Sequence, residues 1–315
     1  DTQMLSSAQA AERGSATHRS WLGGVWSPTD GIADPARAAP IIAKGVIKHG
    51  GTVLQNCAAR GVELAGGSVC SVVTERGTIR TSQVVMAGGA WARSFLNQVG
   101  VNLPQASVRS SILSVVPGAT GVPDALHTQE ASVTRRGDGG YTLAISGNGS
   151  VDPTPGTFKT ALQFLPMFAR RWRQLSPGNL QAWHYGFDTS HKWKLDEPTP
   201  MEKVRILDPR PDSATIKATL QNARKLLPAL EKTDIQAQWA GYIDSTPDGV
   251  PILDPDSGIS GLFIAAGFSG HGFGIGPGAG HLIADVILGR PPITEVKQYK
   301  FDRFKRASWG QVSDF

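Results

Sequence analysis

The chain has 315 residues, a formal net charge of +5, 40% hydrophobic residues, 37 glycines and two cysteines. That length and apolar content fit one large domain or two interleaved ones with a sizeable core, and the glycines exceed the ordinary share of roughly 7%. No apolar run approaches the ~18 to 20 residues of a membrane span, no cysteine spacing suits a metal, no signal-peptide pattern opens the chain and no Lys/Arg stripe suits a nucleic acid. A cytoplasmic protein with no metal, membrane span or nucleic-acid partner is the expectation.

The first twenty residues are polar and read as helical or irregular. Asp34 then caps a helix that starts at Pro35, a residue favoured in the first turn. Ala38, Ile41, Ile42 and Val46 give that helix its buried face, and Gly50 and Gly51 end it. "TVLQNC" (52–57) reads as a strand, and "RGVEL", "SVCSVVT" and "GTIRTSQVVM" as a small meander broken by glycines. Cys57 and Cys70 fall here, read as free buried thiols or neighbours on adjacent strands. "QVVMAGGAW" is a buried strand running into glycines and then a helix.

From about Gln105 the pattern changes to long, partly alternating strands, "GNLQAWHYGFDT" among them. "GTFKTALQFLPMFARRWRQL" and "SATIKATLQNARKLLPALEK" read as helices, and Lys194 to Asp212 as a loop shaping a pocket entrance. The short basic clusters, Ala169 to Arg173 and Phe301 to Arg306, read as solvated helix faces. "GLFIAAGFSGHG" returns to the first style, a buried strand ending in glycines. The two ends therefore form one domain, 1–104 with 241–315, and 105–240 forms another.

The run "GFSGHGFGIGPGAG" (267–280) holds seven glycines, with a helix beginning near its end. A strand ending in glycine before a helix start exposes several N–H groups, and the helix end adds partial positive charge. Such a place binds anions or hydrogen-bonds a flat heterocycle. Tight-turn packing is the competing explanation for either junction alone.

"GGVWSPTDGIADPARAAPIIAKGVIKHGGTVLQ", "VVMAGGAWA", "WAGYIDSTPDGVPILDP" and "GLFIAAGFSGHGFGIGPGAGHLIADVILG" occur in the order seen in the FAD-dependent D-amino acid oxidase-like family, which the chain resembles over nearly its whole length. The resemblance implies a mixed α/β (α+β) fold. A Rossmann-like FAD-binding domain, incomplete at its N-terminus, is interleaved with a substrate domain built on a large, mostly antiparallel sheet with flanking helices. It places Ala87, Gly88 and Gly89 on the ADP side of FAD, Ala59 near the adenine, and Gly270, His271, Gly272, Phe273 and Gly274 against the flavin ring. Trp91 and Gly241 are also assigned to the cofactor.

The family's opening strand, GxGxxG turn and helix cradle the pyrophosphate. No such unit occurs here, and "GFGIGPG" lacks the βαβ context. An N-terminal fragment carrying it is an expected partner, as is a homo-oligomer. The implied reaction is oxidation of an amino acid by hydride transfer from Cα to flavin N5, then hydrolysis of the imino acid to a 2-oxo acid and ammonia. The cofactor carries that chemistry, so no catalytic side chain is nominated. Many members place a carboxylate-binding arginine two positions after the glycine of "WAG"; here that place is Ile243. Arg109, Tyr185, Tyr242 and His271 are the substrate candidates, with His184 beside them. Asp248 reads as turn chemistry, Trp239 as core, and Asp244 as a turn residue or a partner for a cationic substrate. An L- or a basic amino acid is the expected substrate class. A non-catalytic or partner-dependent flavoprotein subunit is the alternative.

Overall fold

Residues 2–14 and 17–305 are described by a computed structural model of the chain; Arg306, of the terminal basic cluster, lies outside the described residues. The chain divides into two units. One holds Asp1–Val53, Ser110–Asn148 and Arg210–Gly241, the other Leu54–Arg109, Gly149–Pro209 and Tyr242–Phe315.

In the first unit, strands Gln3–Leu5 and Gly24–Trp26 pair antiparallel. The helix between them, Ser7–Arg13, starts with a capping box in which Ser6 and Gln9 satisfy each other's backbone N–H groups. Strands Ala125–His127, Ser132–Arg135 and Tyr141–Ala144 form an antiparallel run that pairs next with the end of Ala106–Val115. Their inward side chains, Leu113, Val115, Val133, Tyr141 and Leu143, make the core of this unit.

Two helices of 14 residues belong to the same unit, Pro35–Lys48 and Ser213–Leu226, and each is capped by an aspartate. Asp34 accepts the Ala36 N–H at 3.0 Å, and Asp212 accepts that of Thr215 at 2.6 Å. The second helix buries Ile216, Thr219, Ala223 and Leu226, the apolar ones within the core of the sheet. The first begins at Pro35 as the sequence predicts, but its expected buried face is a correction. Ile41 is 59% exposed, Ile42 62% and Val46 45%, and no residue of this helix is buried. Amphipathic spacing marks a face that needs cover, and no described residue supplies it.

The second unit is centred on two parallel strands, Val84–Met86 and Leu262–Ala266, in the register Leu262 to Val84 through Ile264 to Met86. Ile252–Asp254 flanks the latter antiparallel. Leu262, Ile264, Ile252 and Met86 pack with Phe95 and Leu96 of the helix Ala92–Gln98 and with Val62 and Val69 of the meander. That meander, Ala59–Ala65, Ser68–Thr74 and Gly77–Arg80, forms as predicted. Gly149–Val151 pairs with Val108 and Arg109 at the start of the long strand, and Leu175–Pro177 runs parallel to Gly149–Val151. With Ile235–Ser245, which also pairs with Ala106–Val115, the largest sheet among the described residues counts seven strands and is mostly antiparallel.

Several local expectations are corrected. Residues 52–57 are not a strand, because no described neighbour supplies a hydrogen-bond ladder. Cys57 therefore lies off any strand and Cys70 lies on Ser68–Thr74; both thiols are free, but neither is buried, Cys57 being half-buried and Cys70 exposed. "QAWHY" is a helix, Gln181–Tyr185, rather than a strand. Asn179 accepts the Gln181 N–H, and Gly186 at φ 64° ends it. The helix expected across 156–175 is two, Pro155–Thr160 and Leu165–Arg171. Pro166, in the first turn of the second, has no N–H with which to continue the first. The loop 194–212 contains a short helix, Pro200–Lys203. No helix among the described residues is long and apolar enough to cross a membrane.

Candidate cofactor and substrate site

The parallel register brings the two strand–glycine–helix junctions of the second unit side by side. After Met86 the chain passes Ala87, Gly88 and Gly89 and enters Ala92–Gln98. After Ala266 it turns through Gly267 at φ 77°, Ser269 at φ 53° and Gly270 at φ 91° and enters Gly272–Ile287. In open sheets with parallel strands, ligands bind at the carboxyl ends of the strands. Here both helix starts lie there.

The long helix starts earlier than predicted. Gly272–Gly280 is its first two turns and not a loop, with Pro277 inside it. Each helical glycine costs about 1 kcal/mol relative to alanine, so the run is a poor helix on propensity alone. What it provides is a bare face. Gly272, Gly276 and Gly280, at i, i+4 and i+8, line a cleft of about 500 Å³ with Phe273, Ala279 and Ile283. Val85, Ala87 and Gly89 of the first junction, and Gly270, form further wall, and Tyr242, Ile243 and Asp244 project from the strand Ile235–Ser245.

The glycines fall into two kinds. A Cβ added at Gly88 would lie 2.2 Å from Met86 Cε, and one at Gly267 2.3 Å from Thr246 Cγ2, so these two serve close packing. A Cβ at Gly89, Gly274, Gly276 or Gly280 would meet nothing within 4 Å. Bare backbone beside open space suits a broad, flat ligand lying on the main chain, and in this respect the residues fit an isoalloxazine.

Asp244 shapes the turn. Its Oδ2 accepts the Gly267 N–H at 2.7 Å, and its carbonyl accepts the Ser269 N–H at 3.0 Å. Burial pushes its carboxyl up, opposed by the N–H groups of Gly267 and Phe268. It lines the cleft but is already engaged by backbone. Asp248 is held by Arg303, at 2.7 and 3.1 Å, beside Gly249 at φ 80°, as turn chemistry requires. Ile243, at the position of the family's arginine, lines the cleft next to Gly270.

Of the substrate candidates, Arg109 and Tyr242 come together. Asp152, 1% exposed, accepts the Tyr242 hydroxyl at 2.8 Å and lies 3.5 Å from Arg109 Nη2. The Tyr242 ring packs on Phe187 at 4.7 Å, and Phe187 meets Trp91 edge-on at 5.6 Å. Burial, and then the bond to Asp152, push the Tyr242 phenol up. Tyr185 is near enough to add to the upward push on the Tyr242 phenol, and its own hydroxyl donates to the Asp208 carbonyl at 2.9 Å while accepting from Gln181. His184 Nδ1 meets the Leu180 carbonyl at 2.7 Å, on the surface.

His271 is the exposed residue preceding the glycine helix, its carbonyl accepting the Ile275 N–H. Ala59 packs against the core under the meander, away from the cleft wall. Gly241 is an exposed strand position at the end of the first unit, and Trp239 is half-buried. Sequence reasoning missed Asp152 and Phe187, which carry no motif. The i, i+4, i+8 spacing of Gly272, Gly276 and Gly280 was the signal that identifies the cleft face of the helix.

Residues 1–286 match the family described as FAD dependent oxidoreductase. Sarcosine dehydrogenase from mitochondria of Mus musculus is 24% identical over 290 residues, covering 90% of this chain and 27% of the relative. Glycine oxidase from Pseudomonas aeruginosa is 26% identical over 234 residues, 74% of this chain and 49% of the relative. The solved L-amino acid deaminase from Proteus myxofaciens, in complex with anthranilate, superposes with a TM-score of 0.88 at 28% identity. That match covers 97% of this chain and 68% of the solved one. The chain thus spans about a quarter of the dehydrogenase and about half of the glycine oxidase. With the paired junctions and their open-glycine wall, the match over residues 1–286 shows that this chain belongs to the FAD dependent oxidoreductase family, whose cofactor is FAD.

Proposed function

We propose that the whole protein oxidises the C–N bond of an amino acid to an imine, which water then hydrolyses to a 2-oxo acid and ammonia. The observation that carries this reading is the cleft: bare helical backbone on one wall and a fixed tyrosine on another, Tyr242. FAD would supply the two-electron acceptor there. The chain's own contribution is placement. The face of Gly272, Gly276 and Gly280 lets a flat ring lie on the main chain, Asp244 fixes the turn beneath it, and Phe187 and Asp152 fix Tyr242. Arg109, 5% exposed, is the nominated partner for the substrate carboxylate. An L-amino acid is the substrate class, on the strength of the deaminase relative. The division by role is FAD-facing for 1–104 with 241–315, and substrate-facing for 105–240. A cytoplasmic location belongs to the same reading and agrees with the two free thiols.

The test is the visible spectrum of the purified full-length protein. Two flavin bands that bleach anaerobically on adding an L-amino acid are the expected result. A protein that stays colourless with added FAD, or a flavin band that no amino acid bleaches, overturns it.

A second reading, a partner-dependent flavoprotein subunit, is favoured by the bare apolar face of Pro35–Lys48. Ile41, Ile42 and Ile47 are each more than half exposed there. In this reading a segment carrying a dinucleotide-binding βαβ unit covers that face. Mass spectrometry of an active preparation tests it: such a segment, in the same polypeptide or as a co-purifying fragment, is expected, and an active preparation without one overturns it.

A further inference from the structure

The hydrogen bond between Tyr242 and Asp152 fixes more than a ring position. A carboxylate only accepts, so the phenol must be the donor at 2.8 Å. The burial and charge that push the phenol up keep its proton in place. The other oxygen, Oδ1, accepts the Asn179 N–H at 2.9 Å and faces Arg109 at 3.5 Å. Gly178 permits this approach, since a Cβ there would lie 2.0 Å from Oδ1. The ring is held by Phe187, itself fully buried. Tyr242 is therefore a phenol whose only hydrogen is committed away from solvent. Among the described residues no N–H or O–H donates to its oxygen. What it offers the cleft that it lines is lone pairs alone.

We propose that Tyr242 receives the amine of the substrate, not its carboxylate, and that Asp152 is the positioning residue that imposes this polarity. The inference rests on the amino-acid reading of the cleft and deepens it. A hydroxyl free to rotate accepts an N–H or donates to a carboxylate with equal ease. One tied to Asp152 accepts an ammonium or amine N–H and repels a carboxylate oxygen. Arg109, against the other oxygen of the same aspartate, keeps the buried charge compensated. The amine end of an amino acid is thereby drawn to Tyr242 and the carboxylate end kept from it, which fixes the direction in which Cα is presented.

The test uses the full-length, FAD-loaded protein and two variants, Tyr242→Phe and Asp152→Asn. Ligands are glycine, L-leucine and L-phenylalanine, each paired with its deamino acid: acetate, 4-methylpentanoate and 3-phenylpropanoate. Affinities are read by calorimetry under anaerobic conditions with the flavin first reduced by dithionite, so that no ligand is turned over, and with the melting temperature as a check on folding. Tyr242→Phe is expected to weaken the amino acid by about tenfold or more, as loss of a hydrogen bond to a charged group does. The deamino acid is expected to stay within about twofold.

Asp152→Asn has a sharper signature. The Asn179 N–H and Arg109 both need an oxygen on their side, so the amide nitrogen faces the phenol and donates to it. The phenol hydrogen then turns into the cleft. The amino acid weakens, and the deamino acid binds as well as before or more tightly, a reversal that a merely structural role for Asp152 does not produce. Equal weakening of both ligands in Tyr242→Phe, or no weakening of either, overturns the inference alone. A wild-type protein that binds none of the three amino acids overturns the amino-acid reading and this inference together.

Discussion

The two junctions of the second unit look alike in sequence and lie on paired parallel strands, yet they end in opposite environments. The helix after Met86 buries Ala92 through Leu96. Its Arg93 pairs with Asp188 at 2.7 Å, and Ser94 donates to the Phe187 carbonyl. The helix after Ala266 leaves most of its first two turns exposed, and its glycines from Gly274 to Gly280 face open space. A strand–glycine–helix pattern therefore states how the backbone turns, not what covers the turn. Where side chains from the same unit fill in, as around the helix Ala92–Gln98, the turn is packed; where bare backbone is left, it is open to a ligand.

Four substitutions break or sharpen this contrast. The largest effect is expected at the packed junction. Arg93→Met strips a buried carboxylate, Asp188, of its cation, and about 3–5 kcal/mol of stability is expected to be lost in urea unfolding. A loss near zero would mean that this helix is not the anchor it looks to be. Gly267→Ala comes next. It adds a Cβ against Thr246 at a left-handed φ of 77°, and about 1–3 kcal/mol should be lost.

Gly276→Ala separates the two environments most directly. It meets nothing in the protein and improves helix propensity, so stability is expected to hold or rise by up to about 1 kcal/mol. FAD affinity is expected to fall about tenfold, because the methyl enters the ligand's space. Unchanged FAD affinity, measured by fluorescence titration, would remove the bare face from the cofactor site.

The smallest effect is a pH dependence. The folded carboxyl of Asp244 titrates above its ordinary 3.8, so the native state binds its proton more readily than the unfolded chain does. Its contribution is fullest below 3.8 and is lost as pH rises through the shifted value. Asp244→Asn is expected to flatten that fall in a series of unfolding curves. Glu75 has the opposite sign and serves as the control. Arg205 and the Ala58 N–H hold it at about 2, from an ordinary 4.5. Its stabilisation is present above 4.5 and lost as pH falls through about 2, and Asp244→Asn should leave it untouched.

Much of this protein was legible in its sequence because the signals were local. Asp34 and Pro35 mark a helix start, Asp248 with Gly249 a turn, and apolar runs ending in glycine mark the two junctions. These are properties of neighbouring residues, decided by backbone sterics and capping. The period-3.6 pattern of Ile41, Ile42 and Val46 correctly announced a helix with an apolar face, but no pattern within one helix says where the covering surface is. Likewise, residues 52–57 have the composition of a strand and lack a partner, and a strand exists only through its ladder.

The tertiary structure alone decided what the glycines do, because the same residue serves close packing at Gly88 and an open wall at Gly276. It alone brought Asp152, 90 residues away in the chain, to Tyr242. The polarity of a phenol depends on which neighbour takes its hydrogen, and that neighbour is set by packing between distant segments, which no local spacing encodes.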